Sequence, residues 1–227
     1  MLTRVDFLGT DFTDLITQKG YSVLIENNIK CPCVDPDTLR TVPDCVGCDG
    51  RGNYYYTSYN TKGMISRMNK ESQKGDPIGL LEPGYAYITL PQGSQLTMND
   101  RVTNLDSTVI YSEVMLHSDV DQTRYNSVGR IVFAGIQASK LAPLQPLVQD
   151  ADFTIGHNGI LSYSPALAAQ LSSGQGISIR YYCNPVWIVK DNGNFIRDTF
   201  VTFQQPSDLF TNLPVRALMK LEFMGES

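Results

Sequence analysis

The chain has 227 residues, a formal net charge of −5 and a charged fraction of 18%. This acidic balance argues against a general nucleic-acid-binding protein, and the lack of an apolar run of about 18 residues argues against a membrane span. Twelve Tyr, nine Phe, eighteen Gly and twelve Pro favour strands and turns, so the composition predicts a mainly-β protein with length enough to bury a core.

The N-terminal segment predicts a short helix over residues 1–19, because its apolar residues have helical spacing and Gly20 can end it. Asp6, Asp11 and Asp14 fall where a secretion signal would need an uninterrupted apolar run. The sequence therefore predicts synthesis in the cytosol. Clustered cysteines in that compartment are more often metal ligands than disulfides.

YSVLIENN alternates in the manner of a β-strand, and further strands are predicted between turn-rich segments of the first part of the chain. Asn99 and Asp100 predict a turn, and residues 69–84 predict a loop. The predicted strands are YSVLIENN (21–28), NYYYTSYN (53–60), YAYITLP (85–91), RVT (101–103), STVIYSEVMLHS (107–118) and GRIVFAGIQAS (129–139).

The second part begins with KLAPLQPLVQD (140–150), which predicts either a linker or an edge crossing. PALAAQLSS (165–173) offers a helical turn between strands. The predicted strands are ADFTI (151–155), NGILSYS (158–164), GISIRYYCNPVWIVK (176–190) and DTFVTF (198–203).

Turn signals at short, regular intervals favour a β-barrel or β-sandwich over βαβ units. We expect an N-terminal β domain over residues 1–140, which contains the helix and a cysteine-rich loop at 31–48. A C-terminal β-rich region over residues 141–227 is either separate or part of one continuous domain.

Four of the five cysteines lie within 18 positions, as C-P-C and, eleven residues later, C-V-G-C. A C-x-x-C turn places two thiolates on one side of a tetrahedral metal site, and its glycine lets backbone N–H groups point at the sulfurs. Turn-forming Asp and Pro residues in the interval allow the loop to fold back. The pattern predicts a structural Zn²⁺, because four cysteines leave no position for water. The expected ligands are Cys31, Cys33, Cys45 and Cys48.

Two alternatives remain open for these cysteines. Two disulfides would need an oxidising compartment and would have to cross the loop, since Cys31 and Cys33 can hardly bond each other without strain. Free thiols in an exposed polar loop are the other alternative. Cys183, alone within a predicted strand, is expected to be a buried small side chain.

The sequence contains no recognisable catalytic motif, and we expect the protein to be non-catalytic. It contains no nucleophile elbow, no H-E-x-x-H and no phosphate-binding loop. His117 at a strand end and His157 in a hairpin turn are expected to be inert. The paired aspartates are expected to be turn or strand-start residues; they are Asp35 with Asp37 and Asp150 with Asp152.

Local motifs and the order of predicted elements make the chain resemble proteins of two known families. C-V-G-C-D-G-R-G resembles one unit of the DnaJ-type chaperone cysteine-rich domain, which strings several such units together. The opening order is a short helix, a strand, C-P-C, a loop, C-x-x-C-x-G-x-G and a tyrosine-rich strand. Three longer stretches follow, namely YAYITLPQGSQLTMNDRVTNLD, NGILSYSPALAAQLSSGQGISIRYYCNPVWIVKDNGNFIRD and LPVRALMKLEF. Together these stretches resemble the head–tail connector, or head-closure, proteins of the tailed-bacteriophage neck.

That second resemblance implies a mechanical role. It implies a β-barrel or β-sandwich subunit in a homo-oligomeric ring beneath the portal, which seals DNA in the capsid and docks the tail. The implied partners are portal or adaptor and tail proteins, with no membrane and no sequence-specific contact to the packaged DNA. The implied location is the virion, after assembly in the host cytoplasm, and no catalytic residues are carried over.

Two competing hypotheses stay open at this point. The chain could be a zinc-ribbon nucleic-acid-binding or chaperone-like module, with Arg51, Tyr54, Tyr55 and Tyr56 as a stacking and phosphate surface. It could also be an enzyme whose site is assembled from scattered residues.

Overall fold

A computed structural model describes most of the chain, namely residues 9–43, 45–48, 50–67, 84–118, 120–125, 127–137, 143–156, 158–171, 175–192 and 215–222. The first elements are α1 (Gly9–Lys19), β1 (Tyr21–Lys30), β2 (Asn53–Arg67), β3 (Tyr85–Leu90), β4 (Arg101–Asn104), β5 (Val109–Leu116) and β6 (Ser127–Ile136). The remaining elements are β7 (Gln145–Leu147), β8 (Phe153–Ile155), β9 (Leu161–Tyr163), α2 (Pro165–Ala168), β10 (Gly176–Cys183), β11 (Val186–Asn192) and β12 (Val215–Leu221). The predicted mainly-β class with a short N-terminal helix is confirmed.

Six strands of the first compact unit close into a barrel in the order β1-β2-β3-β12-β11-β4, and β4 pairs back to β1. Alternate residues of each strand point inward, because successive side chains of a strand face opposite sides. In β3 the inward residues Ala86, Ile88 and Leu90 are all buried. They pack with Trp187, Met219 and other buried residues into one apolar core.

A buried carboxylate explains the sequence L-T-M-N-D that precedes β4. Asp100 is fully buried, and it accepts hydrogen bonds from Thr97 N (2.6 Å), Asn28 N (2.9 Å) and Asn27 Nδ2 (3.1 Å). It therefore joins the turn before β4 to the β-bulge at Asn27/Asn28 of β1. Asn99 has a φ of 67°, which confirms the predicted turn.

The second compact unit spans Ser107–Pro185. It contains a four-stranded sheet in the order β5-β10-β6-β7, together with the short pair β8-β9. Helix α2 begins where Ser164 caps it, with the Ser164 side chain accepting from Leu167 N. Leu167 of this helix packs on Ile136 and Ile177 of the sheet.

The boundaries between the two compact units differ from the domain boundary that the sequence predicted. The first unit comprises Met1–Asp106 and Val186–Ser227, so the second unit is inserted between β4 and β11. The predicted boundary at 140/141 falls inside the second unit, between β6 and β7, which pair with each other. Sequence order alone favours contiguous domains, and it did not reveal that β12 returns to pair with β3.

Other strand predictions need smaller corrections. The predicted strand 176–190 is two strands, because Asn184-Pro185 separates β10 in one unit from β11 in the other. The segment 140–150 contains β7 at the edge of its sheet, which favours the edge-crossing alternative. The predicted strand 198–203, residues 1–8 of the predicted helix and residues 69–83 of the predicted loop lie outside the described residues. Neither described helix has the length and apolar character needed to cross a membrane.

Candidate metal centre

The four clustered cysteines lie in the loop that joins β1 to β2. These two strands pair up to Lys30 and Asn53, and Cys31 N then donates to Gly52 O at 2.9 Å, which closes the base of the loop. The first knuckle is a turn in which Val34 N donates to Cys31 O (3.0 Å). The second is a turn in which Cys48 N donates to Cys45 O (3.2 Å). Each C-x-C or C-x-x-C pair is therefore held by its own local backbone hydrogen bond.

The loop brings all four sulfur atoms together. They lie within 4.8 Å of one another, with Cys31 Sγ 3.7 Å from Cys45 Sγ and Cys33 Sγ 3.4 Å from Cys48 Sγ. Tetrahedral metal–sulfur bonds of about 2.3 Å would place sulfurs about 3.8 Å apart. All five cysteines of the chain are free thiols in the structure. These four cysteines could hold a metal ion.

A backbone N–H group points at one of the sulfurs, as the knuckle interpretation predicted, because Gly52 N donates to Cys48 Sγ at 3.3 Å. The backbone N–H groups of Cys33, Val42 and Gly47 act on the thiol pKa values of Cys31, Cys33 and Cys45, respectively, against the effect of burial. Backbone donors of this kind favour the negatively charged thiolate over the thiol. At Cys45 the backbone donor outweighs burial and lowers the thiol pKa, whereas the pKa values of Cys31 and Cys33 are raised.

The local pKa values differ from one thiol to the next. Burial, helped by the neighbouring Cys48 thiol, raises the pKa of Cys33 to about 12. The backbone N–H of Gly47 lowers the pKa of Cys45 to about 7. A thiolate is the form that a metal ion binds, so metal binding would release protons from this cluster.

The predicted turn residues of the loop behave as expected. Asp35 Oδ1 accepts from Asp37 N (2.8 Å) and Thr38 N (2.9 Å), and these hydrogen bonds from Thr38 and Asp37 lower the pKa of the Asp35 carboxyl. Asp35 therefore stabilises a turn by accepting hydrogen bonds from the backbone two and three residues further along the chain.

The surface predicted for stacking and phosphate binding is only partly present. Tyr54 and Tyr56 are exposed, but Tyr55 lies on the other face of β2, where the Arg101 guanidinium is 4.3 Å from its ring centroid. Arg51 forms an ion pair with the buried Glu222. Arg101 in turn binds Glu26 with two hydrogen bonds of 2.6 and 2.8 Å. Arg51 is thus engaged within the barrel unit rather than presented beside the tyrosines.

The remaining candidate residues do not belong to the cysteine cluster in the described part of the chain. Cys183 is buried as predicted, and burial raises its pKa to about 12. Asp150 has a φ of 68°, and Asp152 Oδ2 accepts from Val148 N at 2.7 Å, so both shape the turn before β8. His157 lies outside the described residues.

The sequence did not reveal a hydrogen-bonded cluster around Asp121 in the second unit. This buried carboxylate contacts His117 Nδ1 (2.6 Å), and it accepts from Tyr163 Oη (2.6 Å) and Ser118 N (2.8 Å). Burial alone would raise the pKa of Asp121, but the hydrogen bonds from Tyr163 and His117 outweigh it and lower this pKa. The spacing of His117 and Asp121 was a local signal, whereas Tyr163 is 42 positions from Asp121.

No protein-family model matches the chain, and no curated protein is significantly similar to it. The fold and the geometry of the cysteine cluster are therefore the observations on which a functional interpretation depends.

Proposed function

We propose that the chain is a structural, non-catalytic protein of the tailed-phage neck, in which a zinc-stapled loop presents part of an assembly surface. In this role it forms a homo-oligomeric ring that joins the portal and capsid to the tail and helps to retain DNA. The observation that carries the proposal is the cysteine loop of the barrel, where four sulfurs lie within 4.8 Å of one another.

Zinc suits this donor set better than other common metals do. Four thiolates at tetrahedral corners are typical of structural zinc, whereas Mg²⁺ and Ca²⁺ prefer oxygen ligands. The backbone N–H of Gly47, which lowers the pKa of Cys45 to about 7, supports a metal-binding thiolate at that position. Cys31, Cys33, Cys45 and Cys48 would hold the ion, whose contribution is to fix a loop that is too short for a core of its own.

The surface of the loop supports a role in assembly. Leu39, Val42 and Val46 are exposed by 72%, 52% and 97%, although each is apolar. Exposed apolar side chains on a rigid loop are typical of surfaces that become buried against another protein. The low charged fraction of the chain, 18%, fits a subunit with neighbours on more than one side.

The net charge of −5 supports a protein that surrounds DNA without binding it tightly. Adhesive contacts to phosphate need Lys and Arg, so an acidic ring lets DNA slide during packaging and ejection. The engagement of Arg51 with Glu222 weighs against the alternative of a nucleic-acid-binding zinc ribbon.

Electron microscopy of the purified full chain tests the proposed role, alone and after mixing with the portal protein encoded nearest to its gene. We expect ring-shaped particles or a stable complex with the portal. A chain that stays monomeric and binds no portal would contradict the neck assignment. Salt-dependent binding of single-stranded DNA by the full chain, without rings, would support the nucleic-acid-binding alternative instead.

A further inference from the structure

The four-stranded sheet of the second unit has two unlike faces. Side chains on one face are buried, among them Ile177, Ile179 and Tyr181 of β10. The opposite face is open in the described residues. Strand pairing places on it Ile110, Ser112, Val114 and Leu116 of β5, Ser178, Arg180 and Tyr182 of β10, and Phe133 of β6. We call this set, together with Arg130, the outer sheet face.

Four large apolar side chains are exposed on the outer sheet face. Val114 and Leu116 are 70% and 68% exposed, and Ile110 and Phe133 are each 41% exposed. Val114 and Leu116 lie next to each other on this face of β5, because every second side chain of a strand faces the same way, and Ser112 separates them from Ile110. Exposed apolar side chains of this kind on β5, at the edge of its sheet, are typical of a surface that another protein covers.

The charges on the outer sheet face are all positive in the described part of the chain. Arg130 stacks on the ring of Tyr182 at 4.8 Å, and Arg180 lies opposite Ser112 in β5 and Phe133 in β6. The ion pairs formed among the described residues do not include either arginine. A partner that buries this face must therefore bring negative charge as well as apolar side chains.

The cysteine loop has this complementary chemistry. Its apolar side chains Leu39, Val42 and Val46, which we call the loop crown, are all exposed. Asp35 and Asp37 are exposed beside them, and between Cys31 and Gly50 the sequence has four aspartates against one arginine. A rigid, apolar and acidic loop matches an apolar face that carries arginines.

We propose that the loop crown of one copy of the chain docks on the outer sheet face of a second copy. The two surfaces are different, so the contact is head-to-tail, and such a contact repeats into a ring if its rotation closes. The inference rests on the proposed homo-oligomeric ring and identifies the surfaces that build it. A second copy is the indicated occupant because a single chain carries both complementary halves.

Two variants test the loop crown and the outer sheet face one at a time. Val46→Asp places a charge in the loop crown, and Val114→Asp places one on the outer sheet face; both side chains are largely exposed, so folding should be unaffected. We expect each variant to be monomeric in sedimentation velocity at concentrations where the wild-type chain assembles. An equimolar mixture should form a dimer and nothing larger, because it retains one intact loop crown and one intact outer sheet face.

Reversing one charge on each surface provides a second test of the contact. Arg180→Glu alone and Asp37→Arg alone should each raise the concentration of half-assembly at least tenfold, and the double variant should recover most of that loss. Met98→Asp, at an exposed apolar residue of neither surface, is the matched control and should assemble as the wild type does. Circular dichroism of every variant checks that the fold is kept.

Three results would overturn the inference: a wild-type chain that is monomeric at all concentrations, single variants that assemble normally, or a mixture that does not pair. These results can be told apart from failure of the neck assignment. Rings that persist in both Val46→Asp and Val114→Asp would place the contact elsewhere and leave the ring proposal standing. A wild-type chain without rings and without portal binding would remove both.

Discussion

Gly50 shows at the scale of one residue how the cysteine loop is built. Its φ is 74°, in the left-handed region that side chains disfavour, and a Cβ added there would lie 2.5 Å from the backbone oxygen of Pro43. This close approach packs Gly50, just after the second knuckle, against Pro43 of the segment between the two knuckles. The G-x-G after C-x-x-C therefore has a steric cause in this loop.

We predict that Gly50→Ala destabilises the barrel unit by about 2–3 kcal/mol, because a left-handed residue and a backbone clash are combined. Gly93→Ala is the matched control, since Gly93 also has a positive φ (78°) but has no atom within 4 Å of its added Cβ. The control should cost about 1 kcal/mol. Urea unfolding followed by the fluorescence of Trp187, the single tryptophan and part of the barrel core, measures both.

Equal losses for the two glycine variants would show that the approach to Pro43 does not constrain the loop. The same pair of variants should also differ in how fast a chelator removes metal, with Gly50→Ala losing it faster.

At the scale of elements, Asp121 holds together two parts of the second unit that the sheet does not join. His117 follows the end of β5, and Tyr163 ends β9; both bind the Asp121 carboxylate. The rings of His117 and Tyr163 also meet edge to face at 5.7 Å between centroids. The cluster therefore attaches the β8-β9 hairpin to the end of the edge strand.

This cluster predicts a loss of stability in acid. The pKa of Asp121 is lower in the folded chain than in the unfolded chain, so the carboxylate stabilises the fold above its unfolded pKa of about 3.9. That contribution is lost as the pH falls through the folded-state pKa. Asp121→Asn should lose about 2 kcal/mol at neutral pH and should depend less on pH below about pH 5.

Hydrogen–deuterium exchange of peptides from β5 and β9 measures this pH-dependent loss of stability within the second unit. Asp14→Asn, at an exposed residue of α1, is the control and should change neither the exchange nor its pH dependence. An Asp121→Asn chain with the wild-type acid response would assign the acid sensitivity to other carboxyl groups.

Sequence reasoning succeeded where the signal was local. The cysteine spacing, the Asn99 turn and the strand predicted at 85–91 each depend on residues a few positions apart. The same reasoning missed the pairing of β3 with β12, the ion pair between Arg51 and Glu222, and the contact of Tyr163 with Asp121. Such contacts join residues far apart in the chain, and no local periodicity encodes which distant partner a strand or charge will meet.

For the whole molecule, the insertion of the second unit between β4 and β11 separates two surfaces along the chain. The first unit presents the cysteine loop, and the second presents the outer sheet face. If the loop is a zinc-stapled element of an assembling subunit, then metal loss should weaken both the barrel unit and assembly. A metal bound by the four cysteines would thus link the fold of one loop to the proposed role of the protein.

Elemental analysis of the full chain measures its metal content and so tests this claim. The chain is purified without chelators from medium supplied with zinc. We predict about one zinc per chain, its loss in Cys45→Ser, and lower thermal stability both in that variant and after chelation. Cys183→Ser, at a cysteine outside the cluster, should keep its zinc. A wild-type chain that contains no metal and melts unchanged with or without a chelator would contradict the account.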